Sequence, residues 1–224
     1  MARVLAIGDI HGCLTALDTL LGFVQPTPHD QLIFLGDYVD RGPDSKGVLD
    51  RLIELHRTGQ IVCLRGNHEI MMLAARQGRD DFRFWLACGG AEAMESYARP
   101  NDIVTLEDIP DSHWRFIERC VDWYETDCHV FVHAALHPDL TLAEQATDWL
   151  HWQPISERWH RPHCSGKTMI CGHSEQRTGT LLRLRGAICI DTWACGDGWL
   201  TCLDVESSEW WQANELGQTR CGEW

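Results

Sequence analysis

The chain has 224 residues, of which 44% are hydrophobic and 23% charged, enough to enclose a substantial core as one domain, residues 1–224. Its 19 basic and 33 acidic residues give a net charge of −14, which argues against nucleic-acid partners because such binding depends on neutralising phosphates. No signal peptide precedes the first apolar run and no stretch is long enough to cross a membrane, so we expect a cytoplasmic protein without membrane partners.

The eleven cysteines do not indicate a disulfide scaffold. Their number is odd, they are scattered from Cys13 to Cys221, and no C-x-x-C pair occurs. Several lie inside apolar runs, where a free thiol behaves as a small hydrophobic side chain. The pattern indicates a reducing compartment and argues against a structural zinc site.

The first third of the chain alternates strand-like and helix-like segments. Apolar runs begin at Val4, Leu32 and Ile61, and each is followed by a polar loop. Apolar residues recur at helical spacing over residues 14–24 and 48–55. The order βαβαβ predicts parallel strands joined by right-handed crossovers, and therefore an α/β fold.

The three loops that follow these strands carry the residues that point to chemistry. They read Gly8-Asp9-Ile10-His11-Gly12, Gly36-Asp37-Tyr38-Val39-Asp40-Arg41-Gly42 and Arg65-Gly66-Asn67-His68-Glu69. Because ligands bind outside the carboxyl ends of the strands in open α/β sheets, we expect the loops to converge on one crevice. Carboxylate, imidazole and amide ligands suit divalent metal ions, and Asp37 can bridge two of them.

The second third is mostly helical as far as Cys120, with interruptions at Gly89-Gly90 and Pro100-Asn101. Two further strand-like runs then end in histidine, the first at His133 and the second at His173. Residues 141–165 are rich in Trp, His and Pro, and we expect them to be irregular.

The last third predicts further strands. Apolar runs at 182–184, 187–190 and 200–205 are separated by turn residues, which favours an antiparallel meander. The whole pattern predicts a mixed sheet, or two mixed sheets packed face to face with helices outside.

The three loops and their helix-length spacing resemble those of the calcineurin-like metallophosphoesterases. Within that group they are similar to the phosphoprotein phosphatase branch and its compact bacterial and phage serine/threonine phosphatases. The strong resemblance covers residues 4 to about 70. It implies two mixed β-sheets packed as a sandwich flanked by helices, and two divalent metal ions that share a hydroxide, which attacks phosphorus in line.

The resemblance also implies a ligand set. One ion falls to Asp9 and His11 and the other to Asn67, His133 and His173, with Asp37 bridging both. The alternative for the aspartates is a role in turns and helix caps. For His133 the alternative is nearby His137, since Ala135 replaces the glycine usual two residues on. These ligand types accept manganese, iron, zinc or nickel, and we expect manganese to be the best activator.

Four more residues complete the implied catalytic set. Arg41 and Arg65 offer paired N–H groups to phosphate oxygens, although a surface ion pair is the alternative for each. His68 resembles the family's general acid, with Asp40 holding its ring protonated. A third phosphate-binding arginine is left open among three candidates, namely Arg158, Arg161 and Arg177. Trp193 either walls the active site or packs in the core.

We therefore expect a phosphatase that hydrolyses phosphoserine and phosphothreonine in phosphoprotein or phosphopeptide substrates. One alternative is a symmetrical diadenosine tetraphosphate hydrolase, and another is a metal-binding regulatory protein without catalysis. Asp40 and Glu69 favour the phosphatase, because the dinucleotide hydrolases tend to carry Asp at the second of these places and a less acidic second loop. The intact catalytic set argues against the regulatory protein, and the pattern indicates no particular oligomeric state.

Overall fold

The computed structural model describes residues 2–59, 61–99, 103–156 and 161–223. Its first third is the predicted βαβαβ unit, which consists of β1 Val4–Ile7, α1 Leu14–Val24, β2 Gln31–Phe34, α2 Ser45–Thr58 and β3 Ile61–Cys63. Helix α1 ends at Gln25, whose left-handed backbone (φ 48°) returns its N–H to the carbonyl of Leu21. Helix α2 begins after Asp44, whose side chain accepts a hydrogen bond from the N–H of Gly47.

The middle of the chain is helical, as predicted. Its elements are α3 Asn67–Ala74, α4 Arg79–Trp85, a π-helical turn at Leu86–Gly90, α5 Ala91–Glu95, a 3-10 turn at Leu106–Asp108 and α6 Asp111–Arg119. The predicted interruption at Gly89-Gly90 is confirmed, because Gly89 leaves helical geometry with a φ of 114°. The interruption predicted at Pro100-Asn101 lies outside the described residues.

The remainder of the chain supplies most of the strands. Its elements are β4 Trp123–Glu125, β5 His129–Val132, a 3-10 turn at Leu142–Glu144, α7 Thr147–Trp152, β6 Thr168–Cys171, β7 Leu182–Leu184, β8 Ala187–Cys189, β9 Leu200–Asp204, β10 Glu209–Ala213 and β11 Thr219–Glu223.

The strands form two mixed sheets, as the family resemblance implies. The six-stranded sheet has the order β11-β10-β9-β1-β2-β3, and the five-stranded sheet has the order β4-β5-β6-β8-β7. Strands β1, β2 and β3 are parallel to one another, as are β5, β6 and β8. The other pairs are antiparallel.

The sheets pack face to face because side chains alternate along each strand. In β1, Ala6 faces the other sheet while Leu5 and Ile7 pack with the helices. In β5, Phe131 points inward and Val130 packs in the cluster that includes Leu150 of α7. Each large side chain buried in this way stabilises the fold by about 1.5–3 kcal/mol.

Two sequence expectations are wrong. Residues 141–165 are not wholly irregular, since α7 lies within them. The C-terminal strands are not one meander, because β8 also pairs in parallel with β6 while β9 lies in the other sheet. Turn residues mark where strands end, but they do not say which sheet receives the next strand.

Two further features concern the cysteines and the helices. All eleven cysteines carry free thiols. Among the described residues, no helix has both the length and the apolar character that a bilayer crossing demands.

Asp30 ties the start of β1 to the turn before β2, and we expect it to contribute stability that depends on pH. Its carboxylate accepts hydrogen bonds from the Arg3 backbone N–H at 2.9 Å and from Arg3 Nη2 at 2.7 Å. The hydrogen bond to Arg3 lowers the pKa of Asp30 below its usual value. The unfolded chain therefore binds a proton more readily, so this stability is present above about pH 4 and is lost as the pH falls further.

Asp30→Asn should lower the free energy of unfolding at pH 7 by about 1–3 kcal/mol. Urea denaturation at pH 7 and again at pH 3 measures the effect. The difference between variant and parent should shrink at the lower pH, and a constant difference would contradict the role of the charge.

Candidate metal centre

The predicted site residues lie on loops and, for Asn67 and His68, on the first turn of α3, and these segments meet at one edge of the two sheets. The backbone N–H groups of Ile10 and His11 donate to the carbonyl of Asp37 at 3.0 and 2.8 Å, which joins the first loop to the second. In the five-stranded sheet, the N–H of Gly172 donates to the carbonyl of His133 at 2.8 Å. The N–H of His173 donates to Asp9 Oδ2 at 2.9 Å, so the loops of the two sheets meet.

Asp37 stands between two groups of possible metal ligands. One group is His11, Asp37 and His68, and the other is Asp37, His133 and His173; the ligand atoms of each lie within 4.8 Å of one another. Asp37 Oδ2 is 3.5 Å from His11 Nε2, and Oδ1 is 3.5 Å from His133 Nε2. The two oxygens of one carboxylate thus face two different imidazoles, as a bridging ligand requires.

Three histidines are held so that one ring nitrogen faces this cluster. His11 Nδ1 lies 2.9 Å from the carbonyl of Val39, and His133 Nδ1 lies 2.9 Å from that of Leu35. His173 Nε2 lies 3.1 Å from the carbonyl of Trp152. Each of these nitrogens donates its hydrogen to the carbonyl, which leaves a lone pair on the other nitrogen. Burial lowers the pKa of His11 and of His133 to about 3, so both rings are neutral at neutral pH.

Asn67 brings an amide oxygen to the same place. Its Oδ1 lies 3.0 Å from His133 Nε2 and 3.0 Å from His173 Nδ1. Both nitrogens carry lone pairs in the tautomers just described. The amide oxygen and the two ring nitrogens are therefore three acceptors that lie together without a hydrogen between them. A divalent cation stabilises such a convergence.

Asp9 gives a second indication of a cation. Its Oδ1 is buried without a hydrogen-bond partner. Burial and the nearby carboxylates of Asp191 and Asp37 raise the pKa of Asp9 well above its usual value. Buried carboxylates of like charge are costly unless a cation compensates them. The residues present therefore fit two divalent metal ions, which Asp9, His11, Asp37, Asn67, His133 and His173 would hold.

The backbone at this site is strained. Among the described residues, most non-glycine residues in the left-handed region belong to the site, namely His11, Asp37, Asp40, Arg41, His173 and Trp193, with φ between 47° and 73°. Such conformations persist only where surrounding contacts enforce them, and they cluster at functional sites.

His68 and Asp40 form a buried pair beside the cluster. His68 Nδ1 lies 2.7 Å from Asp40 Oδ2, and the side chains are 1% and 0% exposed. Burial opposes a charge on His68, but Asp37 and the hydrogen bond to Asp40 raise its pKa above the usual value. Burial also raises the pKa of Asp40. The pair is therefore an imidazolium beside a carboxylate: His68 Nδ1 donates its proton to Asp40 Oδ2, and Nε2 carries the second proton.

Arg41 also reaches the cluster. Its Nη1 lies 3.1 Å from His11 Nε2 and 3.0 Å from Glu175 Oε1. Glu175 Oε2 in turn accepts a hydrogen bond from Arg177 Nη2 at 3.0 Å. One carboxylate thus connects two arginines, of which Arg41 lies next to the predicted metal ligands.

The third-arginine candidates are placed differently. Arg177 is connected to the site through Glu175, and its guanidinium lies 5.0 Å from the ring centre of Trp193. Arg161 is 63% exposed and pairs with Asp139 at 2.7 Å. Arg158 lies outside the described residues. The other predicted alternative, His137, packs its ring against Trp149 at 5.0 Å.

Arg65 has a contact pattern that the sequence did not indicate. Its Nη2 donates to the carbonyl oxygens of Glu118 and Cys120 at 2.9 and 2.8 Å, which ties the third loop to the end of α6. Its Nη1 lies 3.6 Å from Asp122. These contacts give the guanidinium a structural role, and its proposed role in binding phosphate stays a prediction.

The sequence indicated no place in the site for Asp191, and Glu69 served only to favour the phosphatase over the dinucleotide hydrolase. Asp191 is buried and accepts a hydrogen bond from the N–H of Trp193 at 3.0 Å, and burial raises its pKa to about 7. It follows an apolar strand, the same signal that marks Asp9. Glu69 is buried and accepts hydrogen bonds from the N–H groups of Asp37 and Gly66, each at 2.8 Å, and of Tyr38 at 2.7 Å.

Glu69→Gln should therefore loosen the joint between the second and third loops. A glutamine offers one acceptor oxygen, so at least one of the N–H donors loses its partner at a cost of about 1–3 kcal/mol. Urea denaturation should show this loss, together with weaker metal binding. Glu92→Gln, at an exposed position of helix α5, is the matched control, and an equal effect of both substitutions would contradict the role of Glu69.

Comparisons with known proteins point the same way as this geometry. A symmetrical bis(5'-nucleosyl)-tetraphosphatase from Janthinobacterium sp. (strain Marseille) is 33% identical over 147 residues, which is 62% of this chain and 46% of that protein. Serine/threonine-protein phosphatase 1 of Salmonella typhimurium is 42% identical over 89 residues, which is 39% of each chain. The chain thus spans less than half the length of these curated relatives.

The fold also has close likenesses among solved structures. A protein provisionally described as a diadenosine tetraphosphatase superposes with a TM-score of 0.69 at 21% identity, covering 100% of this chain and 94% of that one. The family model for calcineurin-like phosphoesterases matches residues 2–177, which include every ligand of the candidate metal centre. The chain belongs to the calcineurin-like phosphoesterase family.

Proposed function

We propose that the chain hydrolyses phosphomonoesters whose leaving group is a basic alkoxide, as in phosphoserine and phosphothreonine of proteins. The observation that carries this proposal is the buried pair of His68 and Asp40, 2.7 Å apart, beside the candidate metal centre. A serine alkoxide needs a proton as it departs, and a paired imidazolium can supply one at neutral pH.

Different residues of the chain bind the phosphoryl group and protonate the leaving group. Arg41 offers its guanidinium to the phosphoryl oxygens, from a position 3.1 Å from His11 Nε2. His68 donates its proton from Nε2, because Nδ1 is bound to Asp40. Two divalent ions, when bound, would polarise the phosphoryl group and lower the pKa of the attacking water. Asp37 would hold the ions together, and manganese is the expected activator.

Symmetrical hydrolysis of dinucleoside tetraphosphates is the second candidate, and the names of the relatives favour it over the first. The relative from Janthinobacterium carries that name and matches a larger share of this chain than the phosphatase from Salmonella does. Two features support the phosphatase instead. A nucleoside diphosphate leaves without much help from an acid, so the buried pair has less to do there. Glu69 also accepts hydrogen bonds from four backbone N–H groups, which the shorter aspartate expected in the dinucleotide hydrolases would not reach in the same way.

One substrate panel decides between the candidates. Phosphoserine and phosphothreonine peptides, p-nitrophenyl phosphate and diadenosine tetraphosphate are each assayed with manganese, iron, zinc and nickel. We expect phosphate release from the peptides to exceed dinucleotide turnover. Conversion of diadenosine tetraphosphate into two molecules of ADP, with negligible release from the peptides, would overturn the proposal in favour of the second candidate. Absence of turnover with every substrate and metal would favour a regulatory protein.

A further inference from the structure

Asp40 has a second partner besides His68. Trp85, the last residue of α4, directs its indole N–H at the same carboxylate, with Nε1 2.9 Å from Oδ1 and 3.0 Å from Oδ2. Trp85 and Asp40 are both 0% exposed. The carboxylate therefore lies between an indole on one side and the imidazole of His68 on the other.

The chemistry of an indole suits this place. It is a donor only and carries no charge, so it satisfies a buried carboxylate without cancelling the charge that holds the proton on His68. An arginine would cancel that charge, and a hydroxyl can rotate away. Because both oxygens of Asp40 lie against one N–H, the carboxylate is also fixed in the orientation that directs Oδ2 at His68 Nδ1.

The turn that follows α4 holds Trp85 in place. A Cβ on Gly90 would lie 2.5 Å from atoms of the Trp85 ring, so the ring packs directly on the backbone of that glycine. One residue earlier, Gly89 accepts a hydrogen bond from the N–H of Arg41 at 3.0 Å. A Cβ on Gly89 would lie 2.7 Å from Arg41 Cγ. Residues 85–90 thus contact two neighbouring residues of the second loop through separate groups.

These contacts enforce a costly backbone. Asp40 and Arg41 both adopt positive φ, 73° and 67°, which non-glycine residues rarely do in succession. The N–H of Asp40 is held by Ser45 Oγ at 2.9 Å, and that of Arg41 by Gly89.

We propose that Trp85 is a positioning residue for the acid His68, acting through Asp40. The turn at Leu86–Gly90 then fixes the positions of both the acid and the phosphate-binding Arg41. This inference rests on the proposed function, because it needs His68 to protonate a leaving group. It predicts that the two glycines of the turn affect different steps of the reaction.

The test compares leaving groups. Trp85→Phe removes the N–H and keeps most of the ring volume. A hydrogen bond to a charged group contributes enough for its loss to lower kcat on a phosphoserine peptide by about 10-fold. On p-nitrophenyl phosphate, whose leaving group hardly needs a proton, kcat should change less than about 2-fold. KM and metal content should stay as in the parent.

The matched control is Trp114→Phe. Trp114 lies in the same core cluster and is 5% exposed, but its ring lies against the guanidinium of Arg76, 4.7 Å from the ring centre. General loosening of the core would lower kcat equally on both substrates, in this variant and in Trp85→Phe. Such an equal loss, or no loss at all in Trp85→Phe, would overturn the inference.

Two glycine variants test the same idea without removing the indole. Gly90→Ala should displace the Trp85 ring and reproduce the leaving-group-dependent loss. Gly89→Ala should displace Arg41, raise KM and lower turnover of both substrates alike. If Trp85→Phe does not fold, these two glycine variants test the inference in its place. The same changes in kcat and KM in both glycine variants would contradict the inference.

A parallel His68→Asn variant separates this inference from the proposed function. If His68→Asn lowers kcat equally on both substrates, the assignment of His68 as the acid is wrong, and the proposed role of Trp85 is wrong as well. If His68→Asn shows the leaving-group dependence and the Trp85 and Gly90 variants do not, the inference alone is wrong.

Discussion

Asp37→Asn should remove both metal ions and lower turnover by more than about 100-fold, since even residues that only orient metal ligands contribute 10–100-fold. In the unmodified protein the two carboxylate oxygens of Asp37 face His11 and His133, each at 3.5 Å. An asparagine presents one oxygen and one NH₂ group, so it would direct a donor at one side of the site. It also removes the negative charge that favours two cations in one place. Elemental analysis of the purified protein, loaded with manganese and then desalted, measures the loss.

His173→Asn is the matched comparison. His173 belongs to the group of Asp37 and His133 only, so we expect this variant to lose mainly one ion and to keep the other. Circular dichroism tests whether both variants are folded. Two metal ions per chain and normal turnover in Asp37→Asn would show that the bridging assignment is wrong.

The convergence of the site could be predicted because it follows from local sequence and sheet topology. An apolar strand followed within a few residues by Asp9, Asp37 or Asn67 places that side chain near the carboxyl edge of a parallel sheet. The structure brings these residues together with His133 and His173, which lie on the other sheet. The sequence pattern left one mixed sheet or two open, and the family resemblance favoured two, since no local pattern says that two sheets share an edge.

The supporting residues could not be predicted, because they depend on packing between distant segments. Trp85 reaches Asp40 across 45 residues, and Glu175 reaches Arg41 across 134. Nothing in the sequence around Trp85 distinguishes it from a tryptophan that only fills the core. Arg65 shows the opposite case, in which a motif residue next to Asn67 directs its guanidinium to carbonyl groups at the end of α6.

The role of His68 predicts a rate loss that depends on the leaving group. His68→Asn removes the acid but keeps the backbone N–H that donates to Asp37 Oδ1 at 3.0 Å, so the metal ions should stay. A general acid contributes about 10²–10⁴-fold when the leaving oxygen is strongly basic. We expect a loss of this size on a phosphoserine peptide and a much smaller one on p-nitrophenyl phosphate.

The pH dependence of the unmodified protein supplies an independent measurement of the same role. Burial opposes a charge on His68, but Asp37 and Asp40 raise its pKa above the ordinary value, so the ring keeps its proton to higher pH than a free imidazole and loses it as the pH rises. Turnover of the phosphoserine peptide should therefore decline on the alkaline side, while turnover of p-nitrophenyl phosphate should decline less there. Asp40→Asn keeps the imidazole but removes the charge that holds its proton, so the alkaline decline should move to lower pH. Equal losses on both substrates in His68→Asn, with an alkaline decline that Asp40→Asn leaves in place, would contradict the acid role. His68 would then act by binding phosphate or placing a metal ion, which its position in one group with His11 and Asp37 also permits.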